Sequence, residues 1–368
     1  MPIRVIEPAL VDPPTAEQLA RIINAAAASD APQLVPVSGD LVRLRLAFGW
    51  EDRPTPHVFI ATSHDGQVVG FAEVQLPVWD NLQMASVDLH VHPEARSGGV
   101  YDELWEPVLS TVRSAGRSLV LGDAWAGSPM ELFWRRQGFS VASRAAQRRL
   151  LMGDLNWSQL DALYQDSLKA SSGYDIVAIP SPAPPEWMDG LVELHLAMND
   201  SPRDEIEMED DVWNPDRLRA YERAMAHRSI RLHRLVARRQ ADGALGGHTV
   251  LAIEDERPWL GFQEDTAVVH GHRGHKLGLR LKIAMLKRLA ELEPQVAQVD
   301  TWNAESNTHM LAVNDAIGCV VVGRALDMQR RLETAGQPVA ADLLVAPGQP
   351  VAPGQPVAAG QPVAQAQS

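Results

Sequence analysis

Apolar residues in this chain recur in two rhythms, short runs that read as strands and longer stretches spaced by three and four that read as helices, with Gly, Pro and Asp between them. Ile3 to Ile6 reads as a strand. Thr15 to Ala28 reads as a helix, entered through Pro14-Thr15 with Glu17 in its first turn. His57 to Ser63 and Gln67 to Leu76 flank Asp65-Gly66, a pair that turns a hairpin. A strand through Val87, Leu89 and Val91 leads to a loop at Arg96 and a helix ending near Ala115. Ser118 to Gly122 is the next strand, Pro129 to Gln137 the next helix, and a closing pair of apolar strands follows. Asn156 to Lys169 sets Trp157, Leu160, Leu163 and Tyr164 at helical spacing. The series then opens again with a strand at Tyr174 to Ile179, helices over Trp187 to Met198 and Pro215 to His227, and the apolar run Ala267-Val268-Val269. A helix with Leu277, Leu281 and Met285 four apart comes next.

This order is a repeat. Asp65-Gly66 recurs as Asp242-Gly243, Val91 as Val268 and Arg96 as Arg273, at one offset: 242 − 65 = 268 − 91 = 273 − 96 = 177. Gly138 answers to Gly318, and Gln147-Arg148-Arg149-Leu150 to Gln329-Arg330-Arg331-Leu332, at slightly larger offsets that loop insertions explain. The 368 residues, too many for one ordinary core, divide into a domain over 1–155, a bridging helix and linker over 156–173, and a second domain over 174–335. From Gly336 the sequence GQPVA appears four times. Such a composition buries too little to offset its ordering entropy, so 336–368 is expected to be a disordered tail.

The stretch Thr266 to Lys282 passes from strand to helix through a short loop carrying Arg273, Gly274 and Gly278. The first turn of a helix leaves N–H groups unpaired and carries partial positive charge, and glycines there let the backbone close on a phosphate. Downstream, Asp300 to Met310 and Val313 to Gly318 give a strand and a helix. These residues resemble the GNAT superfamily of acetyl-CoA-dependent N-acetyltransferases. Arg273 and Gly278 match the first and last positions of its Arg/Gln-x-x-Gly-x-Gly/Ala pyrophosphate loop, with Lys276 at the middle glycine. Asn307 and Gly318 match the pattern that follows its fifth strand. The resemblance implies an α/β protein of two tandem GNAT-like domains, each a mixed, mostly antiparallel sheet flanked by helices, in a layout similar to that of the mycothiol synthases. It further implies acetyl-CoA as co-substrate and direct N-acetylation of a small-molecule amine.

Within that resemblance the second copy has the better site. In the first copy Tyr101 stands at the last glycine position of the Arg96 loop, where a bulky side chain obstructs a pyrophosphate. The expected coenzyme contacts are therefore Val268 and His270 at the strand end, Arg273, Gly274, His275, Lys276 and Gly278 in the loop, and Asn307 and Asn314 beyond. An amine attacks only when neutral, so a carboxylate base is sought. By strand alternation the residue four before Val268 shares its face, and that residue is Glu264; the first copy has Val87 there. A hydrogen-bonded strand carboxylate explains Glu264 equally well. The tyrosine with which the family protonates its leaving thiolate is missing, since Asn314 precedes Gly318 by four and Trp134 precedes Gly138 by four. The alternative reading is a non-catalytic acyl-CoA-binding or scaffold protein.

A net charge of −14 and a pI near 5.3 disfavour nucleic acid and anionic membranes as partners and welcome cationic substrates. His270, His272 and His275 have no Cys, Asp or Glu at suitable local spacing, so no metal is expected. Cys319, alone, makes no internal disulfide, and no apolar run approaches the length of about 18 residues that spanning a bilayer needs. A cytoplasmic protein is the expectation. The acidic run Asp204 to Asp211 reads as a solvated loop, and the acceptor pocket is expected around Met198 to Trp213 and Trp259 to Phe262. The oligomeric state stays open.

Overall fold

The structure, a computed structural model, describes residues 1–51 and 56–333. The tail expected to be disordered, 336–368, lies outside the described residues. In chain order come β1 (Ile3–Ile6), α1 (Pro13–Asp30), α2 (Gly39–Phe48), β2 (His57–Thr62), β3 (Val68–Gln75), β4 (Met84–Val91), α3 (Val100–Ser114), β5 (Leu119–Trp125), α4 (Pro129–Arg136) and β6 (Ser140–Leu151). After α5 (Trp157–Ala170) follow β7 (Tyr174–Ile179), α6 (Met188–Leu196), α7 (Pro215–His227), β8 (Ile230–Arg239), β9 (Leu245–Glu254), β10 (Leu260–Val268), α8 (Leu277–Leu292), β11 (Gln298–Ala304), α9 (Thr308–Ala316) and β12 (Val320–Arg331).

Helix starts follow local chemistry. Asp12, Asn214 and Asn307 each accept the backbone N–H of the residue three positions on, and prolines stand just inside the first two helices. The helix α2 had no counterpart in the sequence reading, because charged residues dilute its period. Ser38 caps it through Leu41 N at 3.1 Å, and only Val42 and Leu46 anchor it among its large apolar side chains. The pair of apolar strands expected to close the first copy is one long strand, β6.

The sheet corrects one expectation. Instead of two sheets there is, among the described residues, one of 12 strands, in the order β1-β2-β3-β4-β5-β12-β6-β11-β10-β9-β8-β7. The last strands of the two copies are exchanged: β12 lies between β5 and β6, and β6 pairs with β11. Met1–Leu332 is accordingly one compact unit. The exchange is fastened by Arg149 on β6, which donates twice to Asp300 on β11 at 2.8 Å while Gln147 and Gln298 donate to the same carboxylate at 3.0 Å. Asp300 is buried. Four donors around one carboxylate offset much of the cost of taking its charge out of water.

Alternate residues of β8 and β9 sort the cores of the second half. Leu235, Ala237, Leu251 and Ile253 meet Leu277 and Leu281 of α8, and Val236, Val250 and Ala252 meet Leu191, Leu194 and Leu218 of α6 and α7. Among the described residues, parallel pairing occurs only between β4 and β5 and between β10 and β11. The second of these is short, from Leu260↔Gln298 to Phe262↔Asp300, and beyond it the strands part.

Candidate functional site

Where β10 and β11 part, a cleft of about 710 Å³ opens. Thr266, Ala267 and Val268 form one wall, the start of α9 the other, and the loop before α8 closes the end. Val269 N bonds Gly246 O of the neighbouring chain segment at 3.0 Å, so backbone alternation turns the N–H of Val268 toward the cleft. The loop makes its turn with Gly274 at φ 83° and Lys276 at φ 54°. Lys276 precedes α8 as Gly99 precedes α3, where φ is 76°, and 276 − 99 is again 177. A lysine in this left-handed conformation bears a cost of roughly 1–2 kcal/mol, and its Nζ is held by Asp166 of α5 at 2.5 Å. Among the described residues no side chain caps α8, so its first N–H groups are available to an anion. Gly278 lines the cleft, and a Cβ there would meet only Val268, at 3.9 Å. Packing does not demand a glycine at this position. Arg273, half-exposed at the mouth, bonds Val268 O at 3.2 Å and Asp200 at 2.6 Å.

The cleft thus gathers Val268, Arg273, Gly274, Lys276, Gly278 and Asn307 of the residues singled out in the sequence. Asn307 lines it while capping α9. His270, His275 and Asn314 stand outside its lining. His270 is exposed, with its carbonyl accepting from Arg273 N at 3.2 Å. His275 meets Ala170 O through Nδ1 at 3.1 Å, and the buried His272 meets Tyr174 OH at 2.8 Å. Asn314 is fully buried and donates to Asn303 Oδ1 at 2.6 Å, leaving its own Oδ1 unpartnered. The three imidazoles are used separately, and among the described residues no group of His, Cys, Asp or Glu is arranged to hold a metal ion.

A second cavity, of about 390 Å³, lies beside the cleft. The strand β10 bulges here: Gln263 pairs with Leu251 but Thr266 with Thr249, so one extra residue is accommodated, and Gln263 Nε2 bonds the Val250 carbonyl at 2.6 Å. The bulge breaks strict alternation. Glu264 and Asp265, consecutive, both line the second cavity, while Thr266 to Val268 line the first. The plain rule that put Glu264 on the face of Val268 fails for this reason, and it also hid Asp265.

These two carboxyls differ in their surroundings. Burial, with Asp265 adjacent, pushes Glu264 up to about 8, against a smaller pull from Arg228. Burial is the largest influence on Asp265 too and raises it, but the His195 ring, with Nδ1 at 3.2 Å, together with His248 and Arg234 outweighs it and holds the group below the usual carboxylate range. His195 is only 3% exposed and stacks on Trp213 at 4.2 Å. Behind it His248, edge-on at 5.1 Å, is pushed down to about 3 by burial. Neighbouring carboxyls separated in this way suit proton transfer, one ionised and the other near its midpoint close to neutral pH. Nothing in the sequence pattern of α6 pointed to His195.

The rest of the pocket is aromatic and acidic, with Trp50, Trp213 and Tyr221 on its walls. Glu51 and Asp80, from the first half, are taken up by Arg217 of α7, which bonds both. Asp211 is pushed up by burial and by Asp80. The acidic run is a loop in which Asp204, Glu205, Glu207, Glu209 and Asp210 stay exposed, and several of them also have partners: Asp204 accepts from Ser143 at 2.6 Å, Glu207 pairs with Arg331, and Asp210 meets Arg203 at 2.9 Å. The window 198–213 supplies pocket residues, and Trp259 to Phe262 does not.

The first half has its corresponding space filled. Tyr101, at the position of Gly278 (278 − 101 = 177), is buried and stacks on Phe133 at 5.1 Å, with Trp105, Trp134 and Phe139 packed around. Arg96, the counterpart of Arg273, forks onto Asp30 at 2.8 and 2.7 Å.

No protein-family model matches the chain, and no curated protein matches it by sequence. In structure it is similar to a tandem GNAT protein from the clavulanic acid biosynthesis pathway, at 26% identity and a TM-score of 0.71 over 90% of this chain and 98% of that one. It is also similar to a GCN5-related N-acetyltransferase from Sphaerobacter thermophilus, at 15% identity and a TM-score of 0.61 over 89% and 95%. A glucosamine N-acetyltransferase region of a fungal multi-domain GH3 β-N-acetylglucosaminidase gives 14% and 0.61, over 89% of this chain and 38% of that one. These last two likenesses concern the fold alone.

Proposed function

We propose a function from the premise that this chain is a tandem GNAT-fold acyltransferase: it transfers acetyl from acetyl-CoA directly to a small-molecule amine, and its second half does so. The observation that supports this most is the meeting of two cavities at the β10 bulge. One offers uncapped helix N–H groups to a pyrophosphate, with Arg273 and Lys276 beside them and exchanging Asp200 and Asp166 for it, and the other offers Glu264 among aromatic and acidic walls to an amine. In the proposed reaction Glu264 takes a proton from the ammonium, and the neutral nitrogen attacks the thioester carbonyl carbon. The N–H of Val268 steadies the oxygen as charge develops on it. The C–S bond then breaks, and the leaving thiolate takes up the second proton, which the nitrogen sheds as the amide forms.

A rival, non-catalytic acyl-CoA binder draws on Asn314, which stands buried against Asn303 where a proton donor is expected. Thioester consumption with a panel of small amines separates the readings. Amine-dependent release of free thiol with a stoichiometric acetylated amine is the expected result. Coenzyme binding without turnover on any amine would favour the binder.

A further inference from the structure

A third cavity, of about 500 Å³, lies where β7 ends, away from the coenzyme cleft. β7 pairs with β8 only as far as Ile179↔Arg234, so Ile230 to His233 of β8 have β9 on one side and, among the described residues, no strand on the other. Into this opening come Arg231, His233 and Arg234 of β8 and Arg288 of α8. The acids nearby are already committed. Glu293 accepts from Arg231 at 3.2 and 3.1 Å and meets His233 at 2.9 Å. Glu222 of α7 accepts from Arg234 at 3.0 Å, from Arg219 at 2.9 Å and from Ala183 N at 2.9 Å. One carboxylate between two guanidiniums leaves a positive charge over.

Of the two, Arg219 reaches solvent, with its side chain 29% exposed, and Arg234 does not. Arg234 is 1% exposed, and among the described residues its Nε and Nη2 have no acceptor; the Nε of Arg288 has none either. Buried donors without partners are costly to keep, and the planar fork of a guanidinium matches two oxygens of a carboxylate or phosphate. The cavity is otherwise apolar on several sides, through Ile179, Ile230 and Leu232. We propose that this cavity binds a small organic anion, its carboxylate or phosphate oxygens taking the free N–H groups of Arg234 and Arg288 and its apolar part lying against Ile179 and Leu232.

Calorimetric titration of the full chain with inorganic phosphate and, separately, with butyrate, at ionic strength fixed with chloride, tests this. Saturable binding of at least one probe is expected, and the stronger of the two identifies the oxyanion. Arg288→Gln should weaken that binding at least tenfold with melting temperature and acetyl-CoA affinity unchanged, and Arg234→Met should abolish it. Gly278→Glu, which blocks the coenzyme loop, should leave it intact. Heats no greater than the chloride control for both probes, undiminished binding in Arg288→Gln, or loss of binding in Gly278→Glu would each overturn the assignment. The last outcome would move the anion to the coenzyme loop. None of these results depends on whether amines are acetylated.

Discussion

Glu264 and Asp265 are neighbours in sequence and in the pocket, yet only one of them holds its proton to near neutral pH. The difference comes from a partner: Asp265 has the His195 ring, and Glu264 has burial and a negative neighbour. For Glu264 the folded value lies above that of the unfolded chain, so between the ordinary carboxyl range and about 8 the folded state binds the extra proton, and its contribution to stability falls as pH rises. Glu264→Gln removes that fall. The melting temperature of the variant relative to wild type should climb between pH 5 and pH 8.5, and a constant difference would mean that the carboxyl titrates normally. In turnover, the same variant should lose about 10²-fold near neutral pH while coenzyme affinity holds. The wild-type rate should rise toward about pH 8 through ionisation of this group, a limb that the variant lacks. Full turnover in Glu264→Gln would assign the proton to another route. Glu264 was legible in the sequence as a carboxyl on the right strand, but its wall was not. A bulge of one residue is invisible to a period-2 rule, and it decides which consecutive side chains face which cavity.

At the scale of elements, the loop before α8 and the loop before α3 are one design with opposite fillings. The repeat offset predicted where each residue would stand, and the left-handed turn survives at Lys276 because the backbone geometry, rather than the side chain, is what the helix entry requires. What spacing could not show is that the space in the first half is packed solid by Tyr101 and the rings around it. Two substitutions should therefore fail in opposite ways. Gly278→Glu puts a charge where nothing but Val268 is near, so coenzyme affinity measured by calorimetry should drop by at least tenfold with little change in melting temperature. Tyr101→Ala leaves a hole among Phe133, Trp105 and Trp134, so stability should fall by about 3–5 kcal/mol in denaturant titration, the usual cost of deleting a buried ring, while coenzyme affinity stays. Intact stability in Tyr101→Ala, or coenzyme binding lost with it, would return the first half to contention as a binding site. The sequence also missed α2, whose two buried anchors are too few to register as a period.

At the scale of the molecule, the repeat was legible but the exchange of last strands was not, because the same Gln-Arg-Arg-Leu segment lies in β6 and at the end of β12, with its Leu332 just beyond that strand. Nothing in their patterns says which neighbour each will take. Cutting the chain at residues 155 and 174 would therefore cut through both cores. The first half would lose Leu326, Met328 and Leu332, which β12 and the residue after it bring to its core, and the second would lose Leu150 of β6. The cluster around Asp300 would be split, Gln147 and Arg149 in one piece and Gln298 and Asp300 in the other, leaving each charge without its partner. Breaking a buried pair of this kind costs about 3–5 kcal/mol, so Asp300→Ala in the intact chain should lower the denaturant midpoint substantially without abolishing folding. The fragments face that loss together with an unpaired central strand edge. Residues 1–155 and 174–335 expressed separately should give no cooperative thermal transition, whereas the intact chain should give one transition by both circular dichroism and tryptophan fluorescence. Co-expression with the linker cut near Gly173 should recover a stable complex, since pairing across β5, β12, β6 and β11 does not need the covalent bond. A fragment 1–155 that melts cooperatively by itself would show that the exchange is dispensable, and that each copy can close its own sheet.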